Sequence, residues 1–480
     1  MNLRMIIYIL GRLFKVEAVL LAISLLVSLM YGENLILAFA VPIVLLLIIS
    51  VFTSRLKKPQ NMRFFSKDGF IVVALAWFLL SFFGCLPFWI SREVPNFVDC
   101  FFETVSGFTT TGSSVIDNIE ELSRGLLFWR SFTHWIGGMG ILVFVLAFFP
   151  EKSTQSFHIM KAESPGPQVG KIVSKLKLTA RILYGIYIAM TLVEVFLLLC
   201  GGMPLFDSVV NSFSTAGTGG FSIKSESIGA YNSAYFEYVI AIFMLLFGIN
   251  FNIFYLLLAK RFSAAYKSEE LRIYLGVVFV SVAVITINIL KMYSTFEEAF
   301  RDAFFQVSAI ITTTGFITAD FDTWPTLSKS ILVLLMVLGG CAGSTGGGMK
   351  ISRVVLLLKS AFAELKRCVS PNTVTSIKLE GKNVDKEAVQ SANGYLVMYV
   401  AFLAVSTVLV SVDGMDFEST FTIVVSCINN VGPGFSGTGP TETLSSLSIF
   451  SKLILAFNMV VGRLEIFPVL VLMSPKTYRK

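Results

Sequence analysis

Four short segments along this chain repeat one pattern. In each, an acidic residue begins an apolar stretch that ends at a glycine in a loop rich in threonine or asparagine; the segments are 99–112, 207–220, 302–315 and 418–432. The acid and the glycine are 13 residues apart in the first three segments and 14 apart in the fourth. Segments of this length are too short to cross a bilayer, which takes about 20 apolar residues. Because they lie between segments that can cross, they are predicted to be re-entrant loops of a polytopic membrane protein, and four copies predict one pore with fourfold pseudo-symmetry.

The apolar content agrees with this prediction. Hydrophobic residues make up 55% of the 480 residues and charged residues only 14%, whereas about 25% of an average soluble domain is charged. The predicted fold is all-α, with two N-terminal helices in 1–60 followed by four pseudo-repeats of helix, pore helix with filter loop, and helix around one pore, in 61–165, 166–268, 269–385 and 386–480. About ten membrane-spanning helices are predicted, near 5–30, 35–54, 69–90, 126–149, 181–200, 235–259, 272–290, 328–349, 392–411 and 449–473.

The distribution of lysine and arginine predicts the orientation. With a cytoplasmic N-terminus, the inner segments carry 29 of the 38 cationic residues and the outer segments carry seven, as the positive-inside rule requires. Both termini are then cytoplasmic, all four loops lie outside, and membrane lipid is the expected surrounding. The net charge of +7 follows from topology, and no nucleic-acid partner is expected because no inner segment is long enough to form a basic soluble surface.

The reactive residue types do not predict an enzyme. The six cysteines never fall in a CxxC spacing and there are two histidines, so we expect no metal cluster and no bound cofactor. A membrane-embedded enzyme would also need a convergent nucleophile or acid–base pair, and none is visible. The polar residues Glu194, Arg130 and His134 within spans are interpreted as structural, pairing between helices or lying near the membrane interfaces.

The loops themselves have the residue types of an ion filter. An ion entering a pore exchanges its hydration water for oxygens of similar strength, which rings of backbone carbonyls supply, and glycine lets that backbone approach the axis. The acid at each segment start is expected to cap free helix amides. The alternative, that such loops merely turn the chain, is disfavoured by four copies at near-constant spacing. The candidate walls are Thr110, Thr111 and Gly112; Thr218, Gly219 and Gly220; Thr313, Thr314 and Gly315; and Asn430, Val431 and Gly432.

Together with WRSFTHWIGGMGILV (129–143), GGCAGSTGGGMK (339–350), NNVGPG (429–434) and GRLEIFP (462–468), the loops resemble the membrane subunits of the Trk/Ktr/HKT potassium transporter superfamily, in particular the bacterial Trk (TrkH) type. The resemblance covers essentially the whole chain, and the two leading helices match the Trk form. It implies potassium uptake across the bacterial inner membrane, with K⁺ as the transported ion at the filter. Related plant transporters with serine in place of Gly112 favour sodium. The fourth loop departs from the pattern, because it lacks the threonine pair and includes Pro433.

A glycine-rich stretch directly follows the apolar run ILVLLMVL (331–338) of the eighth predicted span. Six of the ten residues 339–348 are glycine, and irregular backbone at membrane depth persists only where it is buried in protein or faces water, so we expect it beside the pore below the filter. A nucleotide-binding P-loop is excluded because Met349 separates Gly348 from Lys350, while a flexible linker remains the alternative. In the resembling family this loop is an intramembrane gate, which implies as gate residues Gly339, Gly340, Gly343, Gly346, Gly347, Gly348 and Lys350.

Arg463 lies within the last predicted span, where a cation needs a partner or water. One interpretation is an ion pair with another repeat; Glu465 is two residues away and would point elsewhere on a helix. The resemblance favours the other interpretation, in which Arg463 faces the pore and forms an electrostatic barrier beneath the filter.

The resemblance also implies partners. It predicts a homodimer and a cytoplasmic RCK-type subunit that binds NAD or ATP and gates the ion flux. The alternative function is a secondary transporter of another cation or a small solute, which would also use broken helices at mid-membrane depth. Four loop units favour the ion pathway over that alternative.

Overall fold

The protein is built almost entirely from helices over the residues that the computed structural model describes, which are 3–55, 65–140, 176–371 and 376–478. The described strands form one short antiparallel hairpin, β1 (Lys378–Leu379) with β2 (Lys382–Asn383). The described helices are α1 (Leu3–Met30), α2 (Ile36–Arg55), α3 (Ser66–Gly84), α4 (Leu86–Ser91), α5 (Phe97–Phe108), α6 (Arg124–Gly138), α7 (Leu176–Cys200), α8 (Leu205–Gly217), α9 (Ala234–Phe247), α10 (Phe251–Leu258), α11 (Phe262–Tyr266), α12 (Glu269–Ile289), α13 (Phe296–Ile311), α14 (Thr326–Leu338), α15 (Ile351–Val369), α16 (Lys386–Val410), α17 (Phe417–Asn429), α18 (Ile449–Arg463), α19 (Phe467–Met473) and α20 (Pro475–Tyr478).

Long apolar helices make this a multi-pass membrane protein. Among the described residues, six helices are long and apolar enough to cross a bilayer, or up to eight if each of two bent helix pairs counts as one span. The six include α1, α2, α3, α7, α12 and α16. They coincide with the predicted spans near 5–30, 35–54, 69–90, 181–200, 272–290 and 392–411.

The other four predicted spans are not continuous helices. The span predicted at 235–259 is α9 and α10, which meet at 91°, and the one at 449–473 is α18 and α19, which meet at 118°. The span predicted at 328–349 stops with α14 at Leu338. In the span predicted at 126–149, α6 ends at Gly138, and residues from 141 onward lie outside the described part. These four spans are therefore bent or shorter than predicted where they can be compared, and the irregular backbone expected at 339–348 begins where α14 ends.

Glycines explain where these helices end. A Cβ on Gly137 would lie 1.9 Å from the carbonyl oxygen of Phe108, and a Cβ on Gly462 would lie 1.9 Å from that of Ile428. Phe108 and Ile428 are at the C-terminal ends of the short helices α5 and α17. The glycines let these helix ends dock directly against the backbone of the longer helices, and the interrupted backbone is tolerated because it is buried in protein.

The helices that precede and follow the loops alternate in a closed order. We call α5, α8, α13 and α17 the short helices, and α6, α9, α14 and α18 the following helices. α6 packs on α8, α9 on α13, α14 on α17, and α18 on α5. Each following helix therefore contacts the short helix of the next unit, and the last contacts the first.

The two N-terminal helices lie beside the first unit of this ring. α1 packs on α2, α3 and α6. The approach of α1 to α2 is close, since a Cβ on Gly11 would lie 1.9 Å from Thr53 Oγ1. The glycine is thus needed for this contact.

The acidic residues do not cap the short helices as predicted. Asp302 lies inside α13, which begins at Phe296 and is capped by Thr295. α5 is capped by Asn96 and α17 by Asp416. Since a capping side chain must stand immediately before the helix, acids one or more residues inside it cannot take this role.

These acids instead bind groups on other segments. Lys452 Nζ donates to Asp99 Oδ1 at 2.8 Å, and Lys329 Nζ is 3.0 Å from Glu418 Oε1. Tyr231 Oη donates to Asp207 Oδ2 at 2.9 Å. Asp99, Asp207 and Glu418 still stand in the first turn of their helices, where a negative charge complements the helix dipole.

Candidate functional site

Each short helix ends in a loop with the same backbone conformation. We call residues 110–112, 218–220, 313–315 and 430–432 the glycine loops. Thr110, Thr218, Thr313 and Asn430, which begin them, have φ values of 56°, 54°, 58° and 56°. The glycines that end them also have positive φ values, 86° at Gly112, 77° at Gly220, 75° at Gly315 and 112° at Gly432. A left-handed threonine is uncommon because its β-branched side chain clashes there. Three such residues at matching positions indicate that the surrounding structure imposes this conformation, as is typical of functional sites.

Hydrogen bonds close the ends of the four short helices in the same way. The amide of the second loop residue donates to a carbonyl five residues earlier, as in a Schellman cap. Asn430 tolerates the left-handed conformation because its side chain is short and polar. The fourth loop thus keeps the common backbone although its sequence differs. The bonds are Thr111 N to Ser106 O (2.9 Å), Gly219 N to Ser214 O (2.8 Å), Thr314 N to Ala309 O (2.8 Å) and Val431 N to Ser426 O (3.0 Å).

The four glycine loops lie against one another in a ring. At every junction, the glycine of one loop faces a carbonyl oxygen of the next loop, so closely that no side chain fits. The distances from a Cβ on the glycine to that oxygen would be 2.1 Å for Gly112 and Gly219 O, 2.0 Å for Gly220 and Thr314 O, 2.0 Å for Gly315 and Val431 O, and 2.8 Å for Gly432 and Thr111 O. The structure therefore brings together all four predicted walls, with main-chain oxygens at each junction.

The junction between the fourth and first loops is held by side chains. Asn430 Nδ2 donates to Thr111 Oγ1 at 3.0 Å and to the carbonyl of Met459 at 2.9 Å. Ser113 Oγ donates to the carbonyl of Gly432 at 2.8 Å. Two hydrogen bonds thus join the loops at the junction where the backbones approach least closely.

A buried ion pair braces the first and second loops from behind. Arg130 Nε is 2.6 Å from Glu103 Oε1, and the two residues are only 3% and 1% exposed. Arg130 Nη1 also donates to the carbonyl of Ser222, two residues after the second loop, at 2.9 Å. Glu103 Oε2 accepts from the amide of Val115, three residues after the first loop, at 3.1 Å. The pair therefore fixes the residues that follow each of the two loops in sequence.

The sequence predicts a structural role for Arg130, but Glu103 was not among the residues predicted to support the loops. Alignment of the repeats carries the missing signal, since Glu103 and Gln306 each stand nine residues before their loop glycine. Gln306 Nε2 donates to Thr318 Oγ1 after the third loop at 3.3 Å. A polar residue at this position thus ties the short helix to the chain beyond its loop.

His134 packs directly behind the second loop. Its ring stacks on Phe221, with centroids 4.1 Å apart. A Cβ on Gly219 would lie 2.2 Å from His134 Nδ1. His134 thus has a structural role, which is to support the loop backbone by packing against it.

Residues 339–350, which we call the glycine-rich segment, run against the ends of two short helices. A Cβ on Gly347 would lie 2.3 Å from the carbonyl oxygen of Asn429, and one on Gly346 would lie 2.8 Å from that of Thr312. The amide of Gly347 donates to Thr313 Oγ1 at 2.6 Å. The segment therefore contacts the third and fourth glycine loops from the side on which their short helices end.

The same segment is bound to the break between α9 and α10. The amide of Cys341 donates to the carbonyl of Gly248 at 2.9 Å, and the amide of Phe251 donates to the carbonyl of Gly343 at 3.0 Å. Within the segment, Lys350 Nζ donates to the carbonyl of Gly346. Backbone groups left free by the broken helix are satisfied by the segment.

Arg463 joins this segment to the first unit. Its guanidinium donates to the carbonyl of Thr345 at 2.8 Å, and to those of Gly137 and Gly138 at 2.6 and 2.7 Å. A cation at the C-terminal end of α6 is favoured by the free carbonyls and the helix dipole. Glu465 pairs instead with Arg353. Through Arg463 and the segment, all four units are in contact beneath the glycine loops.

No group of three or more His, Cys, Asp or Glu side chains that could hold a metal ion occurs within the described ranges. The glycine loops carry main-chain carbonyl oxygens and the hydroxyl oxygens of their threonines. Such oxygens suit a hard monovalent or divalent cation.

Comparison with known proteins gives concordant matches. The family model described as TrkH, cation transport protein, matches residues 37–478. The Trk system potassium uptake protein TrkH of Salmonella typhimurium is 37% identical over 422 residues, which is 86% of each chain. That of Vibrio parahaemolyticus is 34% identical over 487 residues and covers both chains fully.

A solved structure matches the whole fold. The crystal structure of the potassium transporter TrkH from Vibrio parahaemolyticus superimposes with a TM-score of 0.89 at 32% sequence identity, and the match covers 100% of each chain. The arrangement of helices described above is therefore similar over its full length to that of a transporter.

Proposed function

Because this chain belongs to the TrkH family of cation transport proteins, we propose that it takes up potassium ions through a pore lined by the main-chain oxygens of its four glycine loops. The relatives that it matches over most of their length are potassium uptake proteins by name. The filter consists of Thr110, Thr111, Gly112, Thr218, Gly219, Gly220, Thr313, Thr314, Gly315, Asn430, Val431 and Gly432.

The observation that carries this proposal is the closed ring of contacts between glycines and carbonyls. Each loop glycine lies against an oxygen of the next loop, so the loops have a shared axis on which an ion can exchange water for carbonyl oxygens. The short helices end at the ring, and the negative ends of their dipoles favour a cation there. No counter-charge from a carboxylate is needed at the ring itself.

The glycine-rich segment and Arg463 form the gate of this pathway. Gly346 and Gly347 lie against the ends of α13 and α17, where an ion leaving the filter would have to pass. Arg463 puts a positive charge beside the segment, which opposes a cation at the same depth. Movement of the segment opens the pathway, and its glycines, Gly339, Gly340, Gly343, Gly346, Gly347 and Gly348, permit such movement.

Partners and orientation complete the proposal. The chain lies in the bacterial inner membrane, surrounded by lipid, with both termini in the cytoplasm. It forms a homodimer, and a cytoplasmic RCK-type subunit that binds NAD or ATP drives the gate. The excess of cationic residues in the inner segments supports the orientation.

A transporter of another cation or a small solute is the second candidate, since helices broken near the membrane centre are also typical of secondary transporters. The bends of 91° and 118° favour it. Such a transporter would bind its substrate at the breaks, whereas the ion pathway runs through the ring.

Uptake of rubidium and sodium into proteoliposomes tests the proposal. Gly112→Ser would bring its Cβ within 2.1 Å of the carbonyl oxygen of Gly219 and force serine into a left-handed conformation. We expect the ratio of rubidium to sodium uptake to fall about ten-fold, which corresponds to ~1.4 kcal/mol. Gly394→Ser is the matched control, because nothing lies within 4 Å of a Cβ there. Equal selectivity in the native chain and Gly112→Ser would reject the filter assignment.

A further inference from the structure

One carboxylate binds the glycine-rich segment at Ala342 and the chain just beyond it at Ser352. Glu270 Oε1 accepts a hydrogen bond from the amide of Ala342 at 2.7 Å and another from the amide of Ser352 at 3.1 Å. Glu270 is only 7% exposed and stands in the first turn of α12. The two amides are ten residues apart in sequence and are brought to one oxygen atom.

The chemistry of these amides explains why a carboxylate suits this position. Ser352 is in the first turn of α15, where backbone amides have no partner within the helix and a negative charge is favoured by the dipole. Ala342 lies in an irregular part of the segment, where a buried amide also needs an acceptor. A charged acceptor forms stronger hydrogen bonds than a neutral one.

The intervening residues cannot hold the segment as firmly by themselves. Glycines lose more conformational freedom on ordering than other residues, and four of the nine residues between Ala342 and Ser352 are glycine. Fixed points on neighbouring elements therefore decide where the segment rests. Glu270 is such a point on both sides of these residues.

We propose that Glu270 is the positioning residue that latches the glycine-rich segment in its closed place. This inference rests on the gate described under the proposed function and adds the residue that controls it. Glu270 does not touch the ion. Loss of its side chain frees the amides of Ala342 and Ser352, so the segment leaves the ends of α13 and α17.

The latch is connected to the cytoplasmic hairpin. Glu380, at the turn between β1 and β2, accepts from Ser268 Oγ at 2.9 Å and from the amide of Glu270 at 3.1 Å. Ser268 caps α12. A force on the hairpin therefore reaches the residue that holds the segment, which gives a cytoplasmic partner a route to the gate.

The native Cys341 provides a reporter for the segment. Its thiol is 1% exposed, whereas Cys200 and Cys368 are exposed. The test uses the full chain with Cys200→Ser and Cys368→Ser in proteoliposomes. The rate of labelling by a membrane-permeable maleimide and the leak of rubidium are measured on the same vesicles, and adding Cys341→Ser identifies the labelled thiol.

In Glu270→Ala, we expect Cys341 to be labelled at least ten-fold faster and the rubidium leak to rise several-fold. Glu270→Gln keeps an oxygen that can accept both amides, so its increases should be smaller, and it serves if the alanine variant does not fold. Glu387→Ala is the matched control, because this carboxylate also stands in the first turn of a helix, α16, but is exposed, and labelling should stay at the parent rate.

The two readouts separate the latch from the gate. Faster labelling with unchanged leak would support the latch and reject the segment as the gate. Unchanged labelling of Cys341 in folded Glu270→Ala, or in Glu270→Gln where the alanine variant does not fold, would overturn the latch whatever the leak.

Discussion

Two side chains close the ring at its widest junction, between the fourth and first glycine loops. At three junctions a Cβ on the glycine would lie 2.0–2.1 Å from the next carbonyl oxygen, but at Gly432 this distance is 2.8 Å. Ser113 and Asn430 bridge this wider junction with hydrogen bonds to Gly432 and Thr111. Side-chain hydrogen bonds thus replace close backbone packing at one of four walls.

Removal of one bridge should loosen this wall. Ser113→Ala loses the hydrogen bond to the carbonyl of Gly432, worth about 1 kcal/mol, so we expect the rubidium-to-sodium uptake ratio to fall about five-fold. Ser225→Ala is the control, because that side chain is exposed in the connection between the second glycine loop and α9. A selectivity equal to that of the control would show that the serine does not shape the filter.

The buried pair Glu103–Arg130 makes a prediction about stability. Glu103→Gln leaves the Arg130 charge buried without its counter-ion, which costs about 3–5 kcal/mol. In detergent, the melting temperature of Glu103→Gln should be clearly lower than that of the native chain. The double variant Glu103→Gln/Arg130→Met should recover part of that loss, because no unpaired charge remains. Losses that simply add would contradict a coupled pair.

At the scale of the elements, glycines decide where the following helices end. Gly137 and Gly462 receive the ends of α5 and α17, and Gly248 stands at the bend between α9 and α10. These endings create the free carbonyls to which Arg463 and the glycine-rich segment bind. Helix breakage and attachment of the glycine-rich segment are therefore one structural feature.

Two glycine substitutions should change stability in opposite directions. Gly137→Ala would bring its Cβ within 1.9 Å of the carbonyl oxygen of Phe108, so α5 must shift and the melting temperature should fall by several degrees. Gly185→Ala lies within α7 with nothing within 4 Å of its Cβ, and should stabilise by about 0.5–1 kcal/mol. An unchanged melting temperature in Gly137→Ala would contradict the close docking.

The sequence predicts some of these elements and misses others for a physical reason. Apolar length is a local property, so α1, α2, α7, α12 and α16 are predicted from it. The breaks at 91° and 118° depend on which helix end docks there, and apolar residues stand on both sides of each break.

Capping illustrates the same limit at the candidate site. The repeated acids mark the four segments whose glycine loops contact one another, but Asp302 lies inside its helix because Thr295 provides an earlier start. The partner of Glu465 was also not evident, since Arg353 is 112 residues away in sequence. Repeat spacing locates the glycine loops, whereas contacts between distant segments require the structure.

At the scale of the whole molecule, the proposed ion pathway depends on four units that share one axis. The following helices contact the next short helices in closed order, and the glycine loops meet at the centre of that order. The glycine-rich segment and Arg463 join the units on one side of the loops. One chain thus brings together the four glycine loops and the segment beneath them, as the proposed pathway and gate require.

The position of a bound ion tests this claim most directly. Rubidium can be located by anomalous scattering in crystals of the full chain grown with the ion at saturating concentration. If the carbonyl oxygens of the ring bind the ion, the peak lies on the axis of the ring, between the carbonyl oxygens of Thr111, Gly219, Thr314 and Val431. A strong peak elsewhere in the protein, with none inside the ring, would contradict it.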